Sequence, residues 1–130
     1  MIAYLDTSAA MKLLVEGAES LALVAYLQRD QDELQVVASW LLHTELHCAA
    51  NRHPDDVDPA SVTVVLDILT LVDLTRGDLL SAGMLAGRLR SNDAIHLAVA
   101  LRVGADEVIT YDHELAAAGA QAGVAVAQPA

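Results

Sequence analysis

Two short apolar runs in this chain stop at a carboxylate. Ile2-Ala3-Tyr4-Leu5 ends at Asp6, and Glu107-Val108-Ile109-Thr110 ends just before Asp112. Runs of this length, apolar and bounded by polar residues, read as buried strands. Further strands are expected over 34–38, 72–74 and 123–126. Between them the apolar spacing is helical, predicting helices from residue 9 (capped by Thr7 or Ser8), over 20–29, from Ser39 to 51, over 60–70 behind Asp58-Pro59, and over 75–89. Two more follow, over 93–103 (capped by Ser91 or Asn92 and stopped by Gly104) and up to 121. Short strands alternating with helices imply an α/β chain. The expected architecture is an α/β/α sandwich with a central, mostly parallel sheet. In such open sheets ligands bind outside the carboxyl ends of the strands.

The 130 residues suit one domain, 1–130. A single cysteine, Cys48, excludes an intramolecular disulfide framework and a cysteine-based zinc site. No apolar run approaches the roughly 18 residues that span a bilayer. The first residues carry no basic segment, so neither a signal peptide nor membrane attachment is expected, and the predicted location is cytoplasmic. Seven Lys and Arg against 18 Asp and Glu give a net charge of −11. That balance weighs against nucleic acid, whose phosphates are normally met by Lys and Arg. Carboxylates that hold divalent cations nevertheless present positive charge to a phosphate.

Four acids are candidates for such a cluster. Asp6 and Asp112 follow strands, and in a parallel sheet they share one carboxyl edge. Asp93 stands in the first turn of a helix, and Glu45 in the helix after the second strand. Each has a plainer reading: Asp6 and Asp112 as helix caps, Asp93 as an acid placed by the helix dipole, Glu45 as a solvated side chain. If all four meet, mutual repulsion protonates some of them unless a hard cation intervenes. Oxygen ligands suit Mg²⁺ or Mn²⁺.

The pieces Tyr4-Leu5-Asp6-Thr7-Ser8-Ala9 with Lys12-Leu13, Thr44-Glu45-Leu46, Asn92-Asp93-Ala94-Ile95-His96-Leu97-Ala98 and Thr110-Tyr111-Asp112 stand in a distinctive order from residue 4 to residue 112. In this the chain resembles PIN-domain ribonucleases of the kind that act as the toxin in VapBC toxin–antitoxin pairs. The resemblance implies a PIN-like fold and a metal-dependent endoribonuclease hydrolysing RNA phosphodiester bonds. It implies that Asp6, Glu45, Asp93 and Asp112 are the catalytic acids around Mg²⁺, with Mn²⁺ able to substitute. Thr7 or Ser8, and Thr110, would support the pocket through their hydroxyls. It further implies a homodimer and a cognate VapB-type antitoxin whose C-terminal segment blocks the acidic pocket, with an Arg standing in for the cation. His96 departs from the pattern, because some members carry a further acid there; residues 51–57 support no assignment.

Arg88 and Arg90 precede Asp93 and are candidates for holding substrate phosphate, as is Lys12. Their plainer readings are a solvated helix end and a snorkelling side chain. His43 and His47 have metal-ligand spacing, but His43-Thr44-Glu45-Leu46-His47 places its glutamate one residue away from the HExxH pattern, so they read as surface or interface residues. The five histidines form no evident catalytic arrangement. Cys48 is expected as a small buried hydrophobe and Trp40 as core. Neither GxGxxG nor GxxxxGK[ST] occurs. Two competing functions are a receiver-type phosphotransfer domain and a non-catalytic binding module. The first wants an acid pair after strand one and a late Lys, which Asp6 and residues 107–115 do not offer.

Overall fold

The structure is a computed structural model describing residues 1–30 and 32–130. Among the described residues the order is β1 (Ile2–Leu5), α1 (Thr7–Leu14), α2 (Ser20–Leu27), β2 (Gln35–Ser39), α3 (Trp40–Arg52), α4 (Pro59–Asp67), β3 (Thr70–Val72), α5 (Arg76–Ala82), α6 (Ser91–Arg102), β4 (Glu107–Ile109), α7 (His113–Gln121) and β5 (Ala125–Ala127). The strands form one sheet in the order β3-β2-β1-β4-β5, every pairing parallel.

Successive strand residues point to opposite faces, and both faces are apolar. Ala3 and Leu5 of β1, Ala38 of β2 and Ile109 of β4 face a core with Ala9, Leu23, Leu42, Leu46 and Val62, contributed by α1 to α4. Tyr4, Val37 and Val108 face the other core, with Leu97, Val99 and Ala100 of α6 and Leu115 and Ala118 of α7. Helices on both faces make the expected α/β/α sandwich. The chain leaves β1 toward β2 and β3, then returns to the other side of β1 for β4 and β5. The order therefore reverses between β1 and β4, and open parallel sheets form their ligand crevice at such a point, outside the strand ends. Asp6 and Asp112 are the acids that follow those two strands.

Several local expectations shift. Helix α1 is capped by Asp6, whose side chain accepts from Ala9 N, and not by Thr7 or Ser8. The hydroxyls of those two residues are turned to carboxylates instead. Likewise α6 starts after Arg90 without a side-chain cap, because the Asn92 amide donates to Glu45. Helix α5 stops at Ala82 and not near 89. Gly83 closes it, and Gly87 takes φ +112°, a left-handed conformation that glycine adopts without steric cost. Strand β3 covers Thr70–Val72, two residues earlier than its apolar pattern suggested, in register with Val37–Ser39 of β2. Tertiary pairing overrides so short a pattern. Cys48 is exposed, and Trp40 is 45% exposed. Helix α3 buries Leu42, Leu46, Ala49 and Ala50, and Trp40 and Cys48 lie off that stripe, so neither is core. Trp40 packs on His43 and His43 on His47, at ring separations of 5.2 and 4.6 Å. No helix among the described residues is long and apolar enough to cross a membrane.

Candidate functional site

Asp6 sits at the end of β1, 1% exposed. Its oxygens are held from three sides: Ala9 N donates to Oδ1 at 2.9 Å, Thr110 Oγ1 to Oδ2 at 2.6 Å, and Ser8 Oγ to Oδ1 at 2.8 Å and Oδ2 at 3.0 Å. Burial raises its carboxyl above the ordinary aspartate value, against those hydrogen bonds, which favour the charged form. Thr110, at the end of β4, ties the two strand ends together. Its hydroxyl donates to Asp6 and accepts from Asp112 N at 3.1 Å. Ser8 Oγ also accepts from Tyr111 N at 2.9 Å. The hydroxyls of Ser8 and Thr110 thus fix Asp6 across the β1–β4 crevice. Asp112 caps α7, accepting from Leu115 N at 2.8 Å.

Glu45 reaches in from α3. Thr7 Oγ1 donates to its Oε1 at 2.8 Å and Asn92 Nδ2 to its Oε2 at 3.0 Å. His96 Nε2 lies 2.6 Å from Oε1. Burial pushes the Glu45 carboxyl up, but the hydrogen bonds from His96, Asn92 and Thr7 outweigh it and hold the carboxyl below its usual value.

Asp93 is different. It is partly buried in the first turn of α6, and its carboxyl is raised by burial and then by the charges of Asp112, Asp6 and Glu45, with only His96 pulling the other way. Three acids from β1, α3 and the start of α7 therefore act on a fourth from α6. Among the described residues, no three His, Cys, Asp or Glu side chains stand as a ready-made metal-holding group. Asp6, Glu45 and Asp112 are turned toward protein donors instead.

One of the five histidines stands in the site. His96 is 1% exposed and central to the site. Besides Glu45, its Nε2 lies 3.0 Å from Thr7 Oγ1, and its Nδ1 lies 2.7 Å from Tyr4 Oη. A polar residue on a nearly all-apolar helix was the one available signal. The phosphate candidates separate. Lys12 is paired with Glu19 at 3.1 Å and lies 4.8 Å from the centre of the Tyr111 ring. Arg88 and Arg90 are exposed in the segment leading into α6.

A family model described as the PIN domain matches residues 3–121. Ribonuclease VapC46 of Mycobacterium tuberculosis is 36% identical over 97% of this chain and 96% of its own length. Ribonuclease VapC35 of the same species is 34% identical over 97% of this chain and 96% of its own length. In fold, the chain superposes at TM-score 0.74 on a chain in the crystal structure of VapBC2 from Rickettsia felis bound to a promoter DNA fragment, at 14% identity and with each chain fully covered. A family-model match along nearly the whole length, with relatives above 30% identity, makes this chain a member of the PIN-domain family, akin to the VapC ribonucleases.

Proposed function

We propose that this chain is a metal-dependent endoribonuclease, the toxin of a VapBC-type pair, acting in the cytoplasm. The observation that carries the reading is the electrostatic state of Asp93. Its carboxyl is raised first by burial and then by the charges of three other carboxylates, Asp112, Asp6 and Glu45, contributed from three separate elements. A purely structural set of caps has no need for acids from separate elements to act on one another at the crevice of the sheet, whereas a cation site brings them within reach of one ion. The donor chemistry fits: carboxylate oxygens with hydroxyls at their backs suit a hard divalent ion such as Mg²⁺, with Mn²⁺ as substitute.

In this reading Asp6, Glu45, Asp93 and Asp112 hold the cation. When bound, the cation polarises a phosphate oxygen, activates water and offsets the charge that develops in phosphodiester hydrolysis. The chain's own residues supply the rest. Ser8 and Thr110 keep Asp6 oriented, and Thr7 and Asn92 keep Glu45 oriented. Arg88 and Arg90 are exposed and near Asp93 in sequence, so they are the stronger phosphate-holding candidates. Lys12 already has an acidic partner and an aromatic ring beneath it. The chain's net charge of −11 makes the loaded cation and those arginines the main attraction for RNA.

The test is cleavage of RNA by the purified chain with Mg²⁺ or Mn²⁺, against EDTA and against Asp6→Asn. Cleavage that needs the cation and is lost in the variant supports the reading; cleavage indifferent to both overturns it. The partner is proposed to be a VapB-type antitoxin, and the toxin a homodimer. Co-expression with the protein encoded beside it should give a stable, inactive complex, and failure to co-purify overturns the pairing.

A further inference from the structure

Glu45 is anchored by a chain of hydrogen bonds that starts on the far face of the sheet. The backbone N–H of Ser39, at the end of β2, donates to Tyr4 Oη at 3.2 Å. Because a backbone N–H can only donate, Tyr4 Oη is an acceptor there and its own proton is free to go to His96 Nδ1, 2.7 Å away. With Nδ1 accepting, the hydrogen of the ring stands on Nε2, which faces Glu45 Oε1 at 2.6 Å. Tyr4 and His96 are both 1% exposed or less, so no solvent competes for these bonds. Thr7 and Asn92 donate to the same carboxylate.

We propose that His96 is a positioning residue. Its Nε2–H, with its tautomer set by Ser39 N–H and Tyr4 Oη, locks the Glu45 carboxylate in the orientation that binds the divalent cation. The inference rests on the reading of Glu45 as a cation ligand. Ligating carboxylates depend on outer partners of this kind, and losing one typically costs about 10- to 100-fold in metal affinity. A histidine serves here because it can accept on one side of its ring and donate on the other. It thereby links a buried phenol to a carboxylate that no residue of the sheet reaches directly.

The experiment is a calorimetric titration of Mn²⁺ into the full chain and into His96→Leu, His96→Gln, Tyr4→Phe, Glu45→Gln and the His96→Leu/Glu45→Gln double variant. Melting without metal is recorded for each. His96→Leu should weaken Mn²⁺ binding about 10-fold or more. His96→Gln, whose amide N–H can stand where Nε2–H stood, should restore most of the loss. Tyr4→Phe, which keeps the ring in the core, should weaken binding in the same direction by a smaller factor and stands in should His96→Leu fail to fold. In the Glu45→Gln background the His96 substitution should have no further effect. If Glu45→Gln weakens Mn²⁺ binding but His96→Leu or Tyr4→Phe does not, or if the two losses simply add, the positioning role is overturned and the ligand reading stands. If Glu45→Gln binds Mn²⁺ as well as the unaltered chain, the ligand reading fails and takes this proposal with it.

Discussion

At the scale of single residues, the four candidate acids could be singled out by the motifs around them and their order along the chain, and in the fold their charges act on one another. Their partners could not be singled out that way. Tyr4 and His96 are 92 positions apart, and a histidine on a nearly all-apolar helix reads as core until its two nitrogens can be traced. Asp6 and Asp112 are N-caps and also candidate ligands, so in the proposed reading one carboxylate serves both tasks. Asp93 has no such second task, so Asp93→Asn should raise the melting temperature of the metal-free chain by roughly 2–5 °C through relieved repulsion. The same variant should lose RNA cleavage. Calorimetric scans in EDTA check the first outcome, and a lower melting temperature contradicts it. The pH dependence has a definite sign. Asp6 and Asp93 bind protons more tightly folded than unfolded, so acidification from neutrality toward the ordinary carboxylate range stabilises the metal-free fold. Glu45 and Asp78 have lowered carboxyls, so their contribution is present above that range and is lost on further acidification. Melting scans across pH should therefore show a maximum at mildly acidic pH in EDTA, and a monotonic fall from neutrality speaks against the carboxyl cluster.

At the scale of elements, order and type were readable from periodicity, while ends were set by tertiary contacts. The acid at the start of α5 shows how. Thr75 and Asp78 form a reciprocal capping box, Asp78 N donating to Thr75 Oγ1 at 3.0 Å and Thr75 N to Asp78 Oδ2 at 2.9 Å. Arg102, at the end of α6, donates to the same carboxylate through Nε at 2.7 Å and Nη2 at 3.0 Å. Arg102 thereby fastens the short α5 to the helix that carries Asp93 and His96. Asp78 is 2% exposed while the Arg102 side chain is 40% exposed, which discounts the Coulomb part of the pair and leaves the hydrogen bonds dominant. Asp78→Ala should cost about 1–3 kcal/mol in urea unfolding, by removing the capping box and the Arg102 anchor together. A change below about 0.5 kcal/mol, the size of an ordinary surface substitution, would show that α5 is held by its apolar side alone. No pattern in the sequence pairs residue 78 with residue 102; only the fold brings them together.

At the scale of the molecule, the strand order explains why residues spread over more than a hundred positions can act together. Reversal of the order between β1 and β4 opens one crevice, and α3 and α6 bring Glu45 and Asp93 toward it from opposite faces of the sheet. A mostly parallel sheet was implied by strand–helix alternation, and every pairing proves parallel, but the strand order is a property of pairing, which local sequence does not encode. The charge balance follows the same logic. Three of the seven basic residues, Lys12, Arg29 and Arg102, are spent on the structural partners Glu19, Glu107 and Asp78. In the reading proposed above, an RNA-cleaving chain with so few free cations would draw on a bound ion at its acidic crevice. The most direct measurement is an anomalous difference map from a crystal of the chain soaked in Mn²⁺. The expected result is a peak bonded to oxygens of Asp6 and Asp93, with Glu45 and Asp112 oxygens in or beside its coordination shell. A well-diffracting crystal with no peak at that crevice, or with Mn²⁺ held only elsewhere, overturns the metal centre and the nuclease mechanism built on it.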